Sequence, residues 1–333
     1  MHVVIPVAGE GTRLRPHTFS IPKVLLPVAG KPMLAHILDD VARLSPRKVT
    51  LVIGHLGDRI RSYVEENYSL PLAWVYQEKR QGLGHAVGMA LDEKETGDLL
   101  VILGDTIIEA DLSGFLSCGT SCIAVKEVED PRRFGVVELE GEYAARLVEK
   151  PEKPTSNLAI VGLYYMKREG ALARAIGRLV SEGIRTRGEY QLTDALQLMI
   201  ADGERITAHR VEGWFDCGKP ETLLSTNSHF LAKLPGGVPR NGCIIVDPVY
   251  IAPDAQVLHS VVGPDVSVSP GVRIERSVVS NSILCDGAQV MNIVLEESII
   301  GPGARIMGAS SGLNIGEEAQ LKIGQVMGGR RQQ

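Results

Sequence analysis

Residues 2–16, His2-Val3-Val4-Ile5-Pro6-Val7-Ala8-Gly9-Glu10-Gly11-Thr12-Arg13-Leu14-Arg15-Pro16, decide the fold. A short apolar run enters a glycine-rich turn that carries two arginines. Val3 to Val7 shows no polar alternation, which marks a strand covered on both faces. The turn stands at the carboxyl end of that strand, where open α/β sheets place ligands and where glycines let backbone N–H groups approach phosphate oxygens. Two familiar motifs are excluded. A dinucleotide fingerprint needs a third glycine where Leu14 stands, and the chain has no G-x-x-x-x-G-K-[ST] run. On its own, a G-x-G turn is better read as a structural strand-to-helix turn.

Outward from this turn, apolar runs alternate with amphipathic stretches, the pattern of a sheet with crossover helices. Val49 to Ile53, Leu72 to Tyr76, Leu99 to Leu103 and Cys122 to Val125 read as further strands. Pro32 to Leu44, Asp58 to Glu66, His85 to Leu91, Ala171 to Ser181 and Leu192 to Ala201 read as helices, and Gly135 to Glu140 with Ala159 to Met166 as strands that pair antiparallel. The expected class is an α/β sandwich. At Leu234-Pro235-Gly236-Gly237-Val238-Pro239 the character changes to a linker. Beyond it come hexads that begin at Ile251, Val262, Val268, Ile300 and Ile315, each with a small residue after the leading aliphatic. Such a period predicts a β-helix whose aliphatics stack from turn to turn. The expected division is a catalytic domain over 1–234 and a hexapeptide-repeat domain over 235–327, with a frayed tail from Gly328.

Across 333 residues, 35 Lys and Arg stand against 40 Asp and Glu, a net charge of -5. That balance speaks against nucleic acid as a partner, which demands a positive excess. The five cysteines show no C-x-x-C pair and no neighbouring histidine cluster, as expected of reduced thiols in a cytoplasm. The start has no secretory pattern, and the apolar runs are far shorter than a membrane helix. A cytoplasmic protein without a membrane partner is expected.

Arg13 and Arg15 follow the turn, and Lys23 lies between Pro22 and Pro27 in a stiffened segment. A polyphosphate in the turn would meet these cations, although Arg15 is equally a solvated charge. Asp105 ends the run Leu99 to Gly104, and Asp216 stands in Gly213-Trp214-Phe215-Asp216-Cys217-Gly218. Each aspartate is by itself a turn former. Presented together, they make a hard-oxygen site for Mg²⁺ beside substrate phosphates. Glu149-Lys150-Pro151 and Arg187-Gly-Glu-Tyr-Gln-Leu-Thr-Asp194 form a second polar set, suited either to a hydroxyl-rich phosphate or to a salt-bridged surface.

Taken in order, A-G-x-G-T-R-L at 8–14, P-K at 22–23, G-L-G-H-A at 82–86, L-G-D at 103–105, E-K-P at 149–151, R-G-E-x-x-L-T-D at 187–194 and W-x-D-x-G at 214–218 resemble the sugar nucleotidyltransferases. The hexads extend the likeness to the form with a C-terminal left-handed parallel β-helix behind a Rossmann-like mixed sheet. The resemblance implies that Ala8, Gly9, Gly11, Thr12, Arg13, Gln77 and Gly82 bind the nucleotide. It implies Glu149, Lys150, Asn157, Gly162, Arg187 and Glu189 for the sugar phosphate, and Asp105 and Asp216 for Mg²⁺. Arg13, Lys23, Asp105, Lys150 and Asp216 would carry the catalysis. The first loop is one residue shorter than in many thymidylyltransferases and resembles the bacterial UDP-glucose pyrophosphorylases, so dTTP or UTP is expected with glucose 1-phosphate. The alternatives are mannose-1-phosphate guanylyltransfer, a second acyltransferase activity in the hexads, or a regulatory subunit. A homo-oligomer, dimer or tetramer, is implied.

Overall fold

A computed structural model describes residues 1–237 and 240–308. In chain order the first part runs β1 (His2–Pro6), β2 (Pro27–Val28), β3 (Lys31–Pro32), α1 (Met33–Arg43), β4 (Lys48–Ile53), α2 (Gly57–Asn67), β5 (Leu72–Tyr76) and α3 (Leu83–Gly88). It continues with β6 (Leu99–Ile102), β7 (Thr106–Glu109), α4 (Leu112–Leu116), β8 (Ser121–Glu127), β9 (Gly135–Glu140), β10 (Tyr143–Glu149) and β11 (Leu158–Met166). Then come α5 (Glu169–Glu182), α6 (Leu192–Ala201), β12 (Ile206–Arg210), β13 (Gly213–Asp216) and α7 (Pro220–Leu231).

Nine of these strands form one mixed sheet in the order β5-β4-β1-β6-β11-β8-β12-β10-β9. β1 is parallel to both β4 and β6. The chain therefore leaves β1 toward one edge and returns to its other side, so the carboxyl ends of β1 and β6 flank a topological switch point, where such sheets open a crevice. Val3, Val4, Ile5, Leu99, Leu100 and Val101 are fully buried, because helices cover both faces. The expected pairing of Gly135–Glu140 with 159–166 is present at Ala159↔Val136, while β11 lies chiefly antiparallel to β6 and β8. A shift of register between Ile160 and Tyr164 breaks the ladder at Gly162, a bulge beside the crevice.

The structure departs from the sequence reading in several elements, and β2, β3, α4, β10, β12 and α7 have no counterpart in it. α3 starts at Leu83 rather than His85, because Gly82 with its φ of 110° turns the chain directly into the helix. A two-stranded ribbon, β7 with β13, has no counterpart in the reading; it pairs Thr106 with Asp216.

Beyond residue 240 the strands are two or three residues long and fall into three parallel sheets of four, each visited once per turn of the chain. This is the arrangement of a β-helix. Ile251, Val268, Leu284 and Ile300 stack in register, as do Val257, Ile274, Val290 and Ile306. Partners are 16 or 17 residues apart, so the turn is shorter than three whole hexads, and this is why the hexads lose phase between Ile274 and Leu284. The hexad at Ile315, the end of the second domain at 327 and the tail lie outside the described residues.

The two parts share a core. Leu223, Leu224 and Leu231 of α7 pack with Leu14, Leu26 and Ile107 on one side and with Ile283 and Cys285 of the coil on the other.

Candidate active site

The loop after β1 begins the site. Gly11 adopts a φ of 63°, and a Cβ there would lie 2.9 Å from the Lys23 Cβ, so the close crossing of the loop over the Lys23 segment requires glycine. Thr18 Oγ1 donates to the Gly11 carbonyl at 2.8 Å and fixes that crossing. Leu14 and Val24 anchor the two segments in the core. Lys23 is thereby held with only 6% of its surface exposed, and its Nζ donates to Asp105 Oδ2 at 2.8 Å.

Asp105 sits just past the end of β6, deep in the molecule but with 47% of its side chain open to the crevice. Burial pushes its carboxyl pKa upward, but the Lys23 charge and hydrogen bond outweigh that and leave it below the usual aspartate range. It stays ionised at neutral pH. Asp216 is placed by its register opposite Thr106, the neighbour of Asp105. A Cβ on Gly218 would lie 2.8 Å from Asp216 Oδ1 and 2.6 Å from Arg13 Nη2, so glycine here lets the guanidinium and the second carboxylate approach each other.

The crevice has two compartments. The first, about 510 Å³, is lined by Ala8, Gly9, Gly11, Thr12, Arg13, Lys23, Gln77 and Gly82, so all residues expected to bind a nucleotide gather there. The second, about 320 Å³, is lined by Glu149, Lys150, Gly162 and Glu189 and by both Asp105 and Asp216. Arg13, Asp105 and Glu189 line both and mark the junction. Gly82 and Gly84 shape the far wall: a Cβ on either would come within 2.9 Å of the Tyr190 carbonyl, which accepts from Gly84 N. Gln77 is buried behind them, its Nε2 3.1 Å from His85 Nδ1.

Two expected sugar-phosphate residues do not line the crevice. Asn157 is exposed and donates to Glu127 Oε1 at 2.7 Å, and Arg187 is exposed and donates to the Lys150 carbonyl at 2.8 Å. Arg187 thus steadies the backbone of Lys150, which has a φ of 45°. Lys150 Nζ pairs with Glu149 at 2.9 Å, and Glu149 also accepts from Thr193 at 2.7 Å. Arg15 turns away, pairing with Glu10 and lying over Phe19.

Among the described residues no group of three or more histidine, cysteine, aspartate or glutamate side chains converges as a metal cage. The donor set is two carboxylates, one of them sharing an oxygen with Lys23. That fits a hard divalent cation whose remaining ligands are phosphate and water oxygens.

Residues 2–233 match the family model described as nucleotidyl transferase. The chain belongs to that family. The low-salt glycan biosynthesis nucleotidyltransferase Agl11 of Haloferax volcanii is 33% identical over 97% of this chain and 100% of its own length. The glucose-1-phosphate thymidylyltransferase of Streptomyces griseus is 28% identical over 97% of this chain and 99% of that protein. A crystal structure of UDP-glucose pyrophosphorylase complexed with UDP-glucose superposes with a TM-score of 0.60 and 25% identity over 70% of this chain and 99% of the other. This nucleotidyl transferase is therefore an enzyme of the sugar-phosphate nucleotidyltransferase class, a class that generally uses a divalent metal.

The sequence reading missed several lining residues. Arg80, paired with Glu10 at 2.6 Å, lines the first compartment of this nucleotidyl transferase. Arg133, Phe134 and Trp214 line the second. The cluster Asp130-Pro-Arg-Arg-Phe134 offered a sign in the sequence as a charged turn, and Trp214 stood in the W-x-D-x-G motif without being given a role. Trp214 keeps its indole N–H buried with no protein acceptor among the described residues. No helix of the described residues is long and apolar enough to cross a membrane.

Proposed function

We propose that the chain joins dTTP or UTP to glucose 1-phosphate, releasing pyrophosphate and forming the nucleoside-diphosphate sugar. The observation that carries this reading is the place of Asp105 at the junction of two compartments, bound to buried Lys23, with Arg13 lining the same two compartments. The first compartment takes the triphosphate and the second the sugar phosphate. Trp214 supports a hydroxylated ligand in the second, because a buried donor without an acceptor is costly until something accepts from it. The glucose 1-phosphate named in the thymidylyltransferase relative favours the same sugar.

An oxygen of the sugar phosphate attacks the α-phosphorus, and the bond from that phosphorus to the β-phosphate bridging oxygen breaks, with its electrons leaving on pyrophosphate. The second pKa of a phosphate monoester is about 6, so the nucleophile is already ionised and needs no general base. The barrier is repulsion between anions and charge growing on the leaving group. Arg13, lining both compartments, offsets charge on either side of the reacting phosphorus, and Lys23, lining the first, does so on the triphosphate side. Glu149, fixed by Thr193, accepts from sugar hydroxyls and orients Lys150. Mg²⁺ held by Asp105 and Asp216 would supply neutralisation of the bridging phosphates.

In this reading the catalytic domain is 1–234 and the coil 235–327, left-handed and suited to self-association, in a cytoplasmic dimer or tetramer. The test is pyrophosphate release from four nucleoside triphosphates crossed with the 1-phosphates of glucose, mannose, galactose and N-acetylglucosamine. Highest kcat/KM for a pyrimidine triphosphate with glucose 1-phosphate is the expected result. Preference for GTP with mannose 1-phosphate overturns it.

A further inference from the structure

Three cations line the first compartment, Arg13, Lys23 and Arg80. Two of them belong with the aspartates: Lys23 is bound to Asp105, and Arg13 approaches Asp216 across Gly218. Arg80 is placed differently. Its ion-pair partner among the described residues is Glu10, in the glycine loop between Gly9 and Gly11, with Nη2 2.6 Å from Oε1. The guanidinium therefore lies at the loop.

A carboxylate in a loop that receives a polyanion is unfavourable unless it holds something useful there. Glu10 accepts from Arg80 at one oxygen and from Arg15 at the other, at 3.3 Å. Arg15 lies over the exposed ring of Phe19 and does not line the compartment, so of the two arginines only Arg80 faces it. The Arg80 hydrogen bond, above all, holds the Glu10 carboxyl below the ordinary glutamate range, which keeps the pair ionised at neutral pH. Arg80 is 53% exposed and Glu10 25%. A pair this open gives way readily to a polyphosphate, and a guanidinium with five donors can serve the carboxylate and a phosphate together.

The direction of the reaction says which phosphates those are. Attacking and leaving oxygens stand roughly in line, so a sugar phosphate arriving from the second compartment sends the pyrophosphate into the first, away from the junction. Charge growing there calls for a cation that neither aspartate claims. We propose that Arg80 is a further substrate-binding residue, a clamp on the terminal phosphates of the triphosphate, held over the glycine loop by Glu10 and kept on the pyrophosphate as it leaves. The proposal rests on the reaction proposed above. Arg80 stands three residues after Gln77 and two before Gly82, the pair expected to bind the nucleotide, so one short segment would grip the substrate at both ends.

Kinetics in both directions test this, because of the four reactants only the triphosphate and pyrophosphate carry the terminal phosphates. Arg80→Ala should raise KM for those two about tenfold or more, the loss of a charge-assisted hydrogen bond, while KM for glucose 1-phosphate and for the nucleotide sugar stays within about twofold. Arg80→Lys, which keeps the charge without the planar fork, should recover part of the loss. Glu10→Gln keeps the clamp and loosens its hold, and should raise KM for pyrophosphate about threefold. An unchanged KM for pyrophosphate in Arg80→Ala overturns the proposal. So does an equal rise for the nucleotide sugar, which would make Arg80 a wall of the whole nucleotide site. If no pair of triphosphate and sugar phosphate turns over in the wild type, the reaction proposed above fails by itself, and calorimetric titration with pyrophosphate and Mg²⁺ decides the clamp. Binding about tenfold weaker in Arg80→Ala than in wild type upholds it, and equal binding removes it.

Discussion

The crevice and the C-terminal coil are made from opposite materials. Around the crevice the chain keeps ionised groups at or just below the surface: Lys23 nearly buried, Asp105 half open, Arg13 exposed. Positive-φ glycines let the loops there cross closely. In the coil the interior is a set of aliphatic stacks, with Val262, Val266, Val268, Ile274, Val279 and Leu284 fully buried and charges confined to the outside. Groups that must exchange water for phosphate cannot also be packed away, whereas an interior made only of aliphatic stacks can bury everything. The difference teaches that substitutions in the two regions should separate activity from stability.

The largest effect tests the crevice. Asp105→Asn preserves an oxygen that accepts from Lys23 and removes the negative charge. Turnover at saturating divalent metal should fall about 10²–10³-fold, the usual loss when one stabilising group is removed from a reacting centre. The melting midpoint should move by only a few degrees. Turnover within tenfold of wild type would take Asp105 out of the chemistry, and gross unfolding would mean that the crevice charges are structural after all.

The coil should behave in the reverse way. Ile274 is fully buried between Val257 and Val290, so Ile274→Ala removes aliphatic bulk from the middle of a stack. A loss of about 3 kcal/mol of stability is expected in chemical denaturation, with kcat kept within twofold. A matching fall in kcat would show that the coil is not mechanically separate from the crevice.

How much of this could be read from the chain follows the same division. The motif residues of the crevice were legible because each has a steric or charge requirement that local sequence displays: glycine where loops cross, a carboxylate at the end of an apolar strand. The β7–β13 ribbon was not, because its pairing joins segments far apart in sequence, and nothing at Thr106 signals Asp216. Asn157 and Arg187 fall outside the crevice for a related reason. A motif tells which residue types occur together, but the side chains of these two are committed to Glu127 and to the Lys150 carbonyl. In the coil, the alternation of small and aliphatic residues predicted stacking, but the length of each turn depended on corners that vary by a residue, so the phase was lost.

A smaller effect belongs to the boundary. His36 is largely buried, with one ring nitrogen 2.9 Å from the Val28 carbonyl and with Lys31 and Asp39 nearby. Burial lowers its pKa to about 4. In the unfolded chain the imidazole takes its proton near about 6.5, so between those values the unfolded state binds more protons. Stability contributed by neutral His36 is therefore complete above about pH 6.5 and is lost as the pH falls toward 4, by about 3 kcal/mol in all. Denaturation curves of wild type and His36→Gln should converge at pH 7 and separate below pH 6, the wild type losing more. Parallel curves across that range would show that His36 does not set the acid sensitivity.

The smallest effect tests whether the division between the regions is complete. Asn227 of α7 is fully buried, and its Oδ1 accepts from Ala29 N at 2.9 Å and from Ser267 Oγ at 2.6 Å. One side chain thus ties the hairpin beyond Lys23 to a strand of the coil. Asn227→Ala leaves the Ala29 N–H without its acceptor, at a cost of about 1–2 kcal/mol. Because Ala29 lies only six residues after Lys23, the loss should also raise KM for the triphosphate about threefold while kcat holds. Ser267→Ala, which leaves the Ala29 bond intact, should lower stability without moving KM, and the double variant should cost less than the two added together, since both remove one shared acceptor. A KM that stays fixed in Asn227→Ala would mean that the coil supports the fold of the catalytic part without setting the geometry of its phosphate loop.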